Sequence, residues 1–363
     1  MNVSLMPFDR LQPAQLEAWS NLLKSAPGHD SPFLRPEYAQ LVQEVCGDVE
    51  VALVGNPQAP SALFAFQRDR RDVGWPVGKS QADVQGMAGQ LGPQESLEEL
   101  LRSIGLTTLH FDHILSDLEV FTPHVQYTDE APFIDLTGGF EQYVSDRRAA
   151  GSSIISQLER KKRHLERALG PLRLVFRTED PLDLGRLTEW KHAQLLDKHQ
   201  PDVFREPWVA RLIEGIAGCR TTGLEGVLSS LYAGDRLVAL HLGLLSGNVL
   251  ASYIPTFSAA HQKFSPGAIL HLELVRSAAG QGIGRIDLGR GANRLKQRLA
   301  SGAYQLAIGS ADLHPWSRLL NGGWYRARRL VHALPWGQRS LRIYRRLKQR
   351  AAASQNTGSL KDR

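Results

Sequence analysis

The sequence predicts an α/β (mixed α+β) protein, and three observations carry the prediction. The chain has 363 residues, 42% apolar and 22% charged, the composition of a packed protein long enough for two domains of about 150 residues each. After residue 172 the expected elements run strand, helices, three antiparallel strands, helix, strand, an order that builds a mostly antiparallel sheet flanked by helices. Each half of the chain holds a comparable set of strands and helices, which hints at duplication.

Residues 13–25 read as a helix with Leu16, Trp19, Leu22 and Leu23 on one face. Ser31-Pro32 opens a second helix, through Tyr38, Leu41 and Val45 to Gly47. Val49–Val54 and Ala62–Gln67 are strands around an Asn56-Pro57 turn, and the Gly- and Pro-rich stretch 73–93 is a loop with room for one short strand. Ser96, followed three residues on by Glu99, is a capping box for a helix to Ile104, and Thr107–Phe111 is a short strand. Phe133–Leu136 is a strand. The polar region 140–169 is helical with a break at Gly151, and its Arg160-Lys161-Lys162-Arg163 run reads as a solvated face. A strand Arg173–Thr178 and helices Leu182–Lys198 and Glu206–Ala217 follow. Gly234-Asp235 turns a hairpin of Gly226–Ala233 and Arg236–Leu245. Val249–Pro255 is the next strand, Ser265–Ala279 a helix, and Arg285–Gly289 and Tyr304–Ile308 the last strands.

The net charge of +6 is unevenly placed: residues 313–363 carry twelve Lys/Arg against one acid, which leaves −5 for residues 1–312. A body of that sign argues against nucleic acid as partner, since binding phosphates requires a basic face. Cys46 and Cys219 alone build neither a disulfide framework nor a cysteine zinc site. His110-x-Asp112-His113 is the one tight histidine cluster, and on a strand its members point to opposite faces, so no metal is expected. The N-terminus lacks the apolar run of a signal peptide, and the apolar stretch 237–254 is broken by Ser246-Gly247-Asn248, as a buried hairpin would be. A cytoplasmic protein is expected. No nucleophile elbow, phosphate loop or dinucleotide fingerprint occurs.

The most informative segment is Ser252–Gly291. A strand ends at Tyr253-Ile254-Pro255, a loop carries His261, Lys263 and Phe264, and Ser265-Pro266-Gly267-Ala268 opens a helix. Ser265 can cap, Pro266 suits the first turn, and Gly267 admits a ligand close to the backbone. Free N–H groups and the positive dipole end make such a start an anion site, although Ser-Pro-Gly also serves as plain capping.

The strand pair 237–245 and 249–255 with this helix resembles the GNAT acyltransferases, in which acyl-CoA lies between two splayed strands with its pyrophosphate at the helix start. Lys263-Phe-Ser-Pro266-Gly267-Ala268 stands where that superfamily has Arg/Gln-x-x-Gly-x-Gly/Ala. Tyr253-Ile-Pro255, Phe264-Ser-Pro-Gly267, Glu273, Ile286-Asp287-Leu288-Gly289 and Lys296 look like the FemAB-like, CelD-type group associated with bacterial polysaccharide synthesis. Trp190-Lys191-x-x-Gln194, Asp202-Val-Phe204 with Pro207-Trp208, and Ser31-Pro-Phe33 fit the same group. The resemblance implies tandem GNAT-like lobes: a degenerate one over 1–140, an acyltransferase lobe over 141–312, and a basic amphipathic tail over 313–363. It implies acyl-CoA (acetyl-CoA) as co-substrate, bound by Ile254, Pro255, Lys263, Ser265, Gly267, Ala268 and Lys296. The acceptor would be an amine, for instance an amino sugar of a polysaccharide or envelope precursor.

Acyl transfer from a thioester needs a held amine, a proton acceptor and donors for the oxyanion. Tyr253 can protonate the leaving thiolate, or pack at a sheet edge. A backbone N–H near Tyr253–Pro255 can serve as oxyanion donor if Pro255 interrupts strand pairing. Asp287 can act as base or pair with Arg285 or Arg290. Lys191 can reach a phosphate or carboxylate, or snorkel from an apolar helix face, and Lys296 can contact an anion or sit as surface charge. His271 and Glu273 face different sides of their helix, so one of them looks into the cleft. The tail, with Trp316, Leu319 and Leu320 among its arginines, can meet an anionic membrane or pack on the body. An aminoacyl-tRNA-dependent FemAB-like peptidoglycan transferase and a non-catalytic GNAT-fold binding protein are the alternatives.

Overall fold

The computed structural model describes residues 1–23, 27–291 and 293–333. In the first half, β1 (Val3–Pro7), α1 (Pro13–Leu22) and α2 (Pro36–Cys46) precede β2 (Val49–Asn56), β3 (Ala59–Arg68) and β4 (Val73–Pro76). The two-residue β5 (Ala88–Gly89), α3 (Leu97–Ser103), β6 (Thr108–Leu115) and β7 (Val125–Asp135) complete it. The second half runs α4 (Gly139–Ala149), α5 (Ile154–Leu169), β8 (Leu172–Val175), α6 (Asp183–Asp197), α7 (Pro207–Gly218), β9 (Glu225–Ala233), β10 (Arg236–Ser246) and β11 (Val249–Phe257). It ends with α8 (Pro266–Gly280), β12 (Arg285–Asp287), α9 (Arg294–Leu299), β13 (Gly302–Asp312) and α10 (Pro315–Ala333).

The described strands form one sheet in the order β1-β2-β3-β4-β6-β13-β7-β12-β11-β10-β9-β8, with β5 beside β3. Read from both ends, the order is a repeat: three antiparallel strands and a fourth, then a parallel neighbour, then a closing strand. The parallel pairs are β4 with β6 and β11 with β12. The closing strands are exchanged. β7, which ends the first half, pairs with β12, and β13, which ends the second, pairs with β6. β7 and β13 then pair with each other and seal the halves into one sheet.

Both faces are covered. Trp19, Tyr38 and Val42 from α1 and α2 share a core with Leu187, Leu212 and Ile213 from α6 and α7. On the other face α8, α5 and α4 cover the second half through Ile269, Leu272, Leu158 and Tyr143, and α3 covers the first through Leu97, Leu100 and Leu101.

Most expected elements are present. The capping box of Ser96 and Glu99 forms, Gly151 lies between α4 and α5 at φ 76°, and Gly47 ends α2 in a left-handed conformation. Five expectations need correction. Ser31-Pro32 opens only a single 3-10 turn, Pro32–Leu34, and α2 begins afresh at Pro36 because Arg35 is extended. β7 starts eight residues before Phe133, because its first part is polar and Pro132 breaks the pattern, while β13 still supplies partners along it. The stretch 73–93 holds two short strands rather than one. β12 stops at Asp287, and a helix, α9, follows the Gly289-Arg290-Gly291 turn. The start of the tail is α10, while its remainder, 334–363, lies outside the described residues. Among the described residues no helix is long and apolar enough to cross a membrane.

Candidate active site

β11 and β12 stay paired for three residues, Val249 with Arg285, Leu250 with Ile286 and Ala251 with Asp287. β12 then ends, whereas β11 continues to Phe257, so from Ser252 onward one edge of β11 has no strand partner among the described residues. This is the splay. The expected one, between 237–245 and 249–255, is absent: β10 and β11 pair from Ala239–Phe257 to Ser246–Val249, and Pro255 sits within that ladder opposite His241. Pro255 therefore does not interrupt the pairing. It tolerates its place because it has no N–H to leave unpaired.

Around the opening, Tyr253, Lys191 and Lys296 of the second half each come within electrostatic reach of Asp83 from the first. Tyr253 of β11 donates to Gln81 Oε1 at 3.3 Å, and its ring meets Phe33 edge-on at 5.6 Å. Burial, reinforced by Asp83, pushes its phenol upward. A phenol so placed is a fixed hydrogen-bond donor and a poor source of protons, which weakens the role expected for Tyr253. Lys191 of α6 points its Nζ at the Pro255 carbonyl, 3.5 Å away. Burial, then Lys198 and Lys296, push this amine down to about 8, against the pull of Asp83. Lys296 Nζ donates to the carbonyls of Gly289 (3.3 Å) and Arg290 (2.9 Å). Burial lowers it too, and Asp83 opposes.

Asp83 was invisible to sequence reasoning. It lies in the loop between β4 and β5, over a hundred residues from Lys191, with no periodicity or motif around it. Burial raises its carboxyl, against His113, Lys296, Arg290 and Lys191. It packs on the turn after β12: a Cβ on Gly289, itself at φ +72°, would stand 2.5 Å from Asp83 Oδ2. Glycine is needed there on both counts.

The remaining candidates separate. Asp287 is 3% exposed and paired with Arg285 at 2.8 Å, and Arg285 also bonds Asp30 from the first half at 2.9 Å. Burial raises Asp287 and Arg285 opposes. Its place is that of a clamp between halves. Glu273 is held on the α5 side by Lys162 (2.9 Å) and Arg276 (2.7 Å), so it is not brought to the opening. His271 is half-buried and pushed down to about 4 by burial and Lys296. Ile254 is buried in the core beside Tyr253.

The start of α8 forms a second cluster. Ser265 is its N-cap at φ 60°, but its side chain does not cap. Ser265 Oγ instead accepts from Lys161 Nζ at 2.9 Å, so part of the basic run on α5 reaches this helix start. Ser265 O accepts from Ala268 N (3.0 Å) and Ile269 N (3.3 Å). Lys263 lies over the Phe264 ring at 5.0 Å. Gly267 is explained by the protein itself, since a Cβ there would stand 2.9 Å from Phe257. Pro266 has no N–H, and those of Ala268 and Ile269 are bonded to Ser265 O, so what suits an anion here is the two lysines beside the positive end of the helix. His110, Asp112 and His113 do not converge: His113 bonds Asp112 at 2.7 Å, while His110 stacks on Trp75.

Residues 152–297 match the family model described as an acetyltransferase (GNAT) domain. A comparison with curated proteins finds no match. Among solved structures, the C-terminal domain of a putative lysylphosphatidylglycerol synthetase from Agrobacterium fabrum is similar at TM-score 0.51 and 12% identity, over 85% of this chain and 95% of that one. A conserved protein of unknown function from Bacteroides thetaiotaomicron gives TM-score 0.51 at 10% identity, over 85% and 100%. A tandem GNAT protein from the clavulanic acid biosynthesis pathway gives 0.46 at 10%, over 86% and 99%. The first two likenesses extend over both halves and support the fold, one mixed sheet flanked by helices.

Proposed function

We propose that the protein transfers an acyl group from acyl-CoA, acetyl-CoA or a longer homologue, to an amine, at the opening where β11 and β12 part. The observation that carries this reading is the juxtaposition there of Asp83, Lys191, Lys296 and Tyr253, with the α8 start and its lysines Lys161 and Lys263 on the same unit. CoA phosphates would lie at Lys161, Lys263 and the positive end of α8. Asp83, with its raised carboxyl, takes the proton of the acceptor amine, whose nitrogen attacks the thioester carbon. The oxyanion forms near the Lys191 ammonium and the Tyr253 hydroxyl. The C–S bond then breaks, and Lys191, at about 8, is well matched to protonate a thiolate of ordinary basicity.

Residues 1–140 would act as the degenerate lobe, supplying Asp83 to the 141–312 lobe. The acceptor class that fits the resemblance is an amino sugar of a polysaccharide or envelope precursor, reached from the cytoplasmic side. Trp316, Leu319 and Leu320 are 77%, 66% and 72% exposed on α10, at the head of the basic segment 313–363, an arrangement suited to an anionic membrane surface. Isothermal titration with acetyl-CoA and longer acyl-CoAs tests the donor. Micromolar binding, lost on raising salt, is the expected result, and absence of binding to all of them overturns the reading. Copurified tRNA would point to the aminoacyl donor instead.

A further inference from the structure

The pseudo-repeat of the sheet places a second opening in the first half. β4 and β6 pair in parallel only at Val73–Thr108 and Gly74–Leu109, and then diverge as β11 and β12 do. A cavity of about 690 Å³ lies beside them, with α10 as its far wall, a size common for small-ligand sites.

Its chemistry differs from that of the second-half opening. Among the charged lining residues, two carboxylates, Asp69 and Asp112, face one ammonium, Lys79. The His113 and Gln85 bonds and the Arg290 charge hold Asp112 below the usual carboxylate range despite burial, so it is ionised at neutral pH. The apolar part is aromatic and rigid. Trp75 and His110 stack at 4.5 Å with planes 27° apart, and the His110 ring is steadied by the Tyr325 hydroxyl at 3.3 Å, which also donates to Gly309 O at 2.9 Å.

An aromatic platform ringed by carboxylate, hydroxyl and amide groups, with two carboxylates against one ammonium, matches a sugar ring: its C–H face lies on the aromatic rings while its hydroxyls donate to the carboxylates. We infer that this first-half cavity is a saccharide-binding site, taking a neutral or amine-bearing sugar unit against Trp75. It adjoins the candidate active site through one loop. Lys79 and Ser80 line the cavity, and Gln81 and Asp83 of the same loop face Tyr253 and Gly289. Gln85 ties that loop to Asp112 at 2.8 Å, and Arg290 stands 3.7 Å from the same carboxylate. The inference goes beyond the acyl-transfer reading and is tested without turnover.

The test is calorimetric titration of the full chain with the β-1,4 tetrasaccharides of glucosamine, of N-acetylglucosamine and of glucose. At least one binds the wild type. Trp75→Ala weakens it about tenfold or more, the weight of a stacked ring, and Trp75→Phe weakens it less. Ser80→Trp, at an exposed lining position, fills the cavity and abolishes binding while thermal unfolding stays as in the wild type. Three outcomes overturn the inference: no tetrasaccharide binds the wild type, Ser80→Trp binds as well as the wild type, or acetyl-CoA rather than a saccharide is the ligand lost with Trp75→Ala and Ser80→Trp. Failure of acetyl-CoA to bind anywhere would count against the donor assignment and leave the saccharide result standing.

Discussion

Replacing Lys191 with methionine should separate stability from activity. The amine is moved from 10.5 to about 8, equivalent to about 3 kcal/mol of preference for the neutral form. Because the folded value lies below the unfolded one, the unfolded chain binds the extra proton between about pH 8 and 10.5, and wild-type stability rises with pH across that window. The cost of the buried charge is present in full below pH 8 and gone above 10.5. Methionine keeps the apolar stem and removes the charge. The Lys191 bond to Pro255 O, at 3.5 Å, is long, and its loss offsets about 1 kcal/mol. Lys191→Met should therefore be about 2 kcal/mol more stable than wild type at pH 7, with the difference fading toward pH 10.5. Acyl transfer should fall by about 100-fold, as when one oxyanion donor is removed. Urea unfolding at a series of pH values, with steady-state rates beside it, makes the measurement. A variant less stable at pH 7, or a stability difference that does not change with pH, would refute the placement of Lys191 as a charge held at a functional opening.

Asp83→Asn should lower kcat/KM by about 100-fold or more and leave acyl-CoA affinity unchanged in titration. The wild-type rate should show an acid limb above the ordinary aspartate range, because burial raises this carboxyl, and the variant should lack it. Arg285→Met leaves Asp287 buried without its partner and should cost about 3–5 kcal/mol in chemical denaturation; adding Asp287→Asn should recover most of it. Lys161→Ala and Lys263→Ala should each weaken acyl-CoA about fivefold at low salt and less at high salt, by calorimetry, since both charges are solvent-accessible.

Most local decisions were legible in the chain. Capping at Ser96, the Gly234-Asp235 turn, the break at Gly151 and the Pro-led starts of α7 and α8 depend on groups a few residues apart, so the sequence alone displays them. The GNAT character of the second half was legible for the same reason, since its strand, loop and helix are contiguous. What the chain could not display is pairing across distance. β7 carries polar residues and a proline, and is a strand because β12 and β13 flank it. The exchange of β7 and β13 makes two similar halves one sheet, and it brings Asp30 to Arg285 and Asp83 to Lys191 and Lys296. Of the site residues read from sequence, Tyr253, Pro255, Lys191 and Lys296 gather at the opening. Asp287 and Glu273 are instead engaged by Arg285 and by Lys162 with Arg276. The physical reason is the range of the interactions: hydrogen bonds of turns and caps are local, whereas the burial that moves a proton and the charge that answers it come from strands remote in sequence.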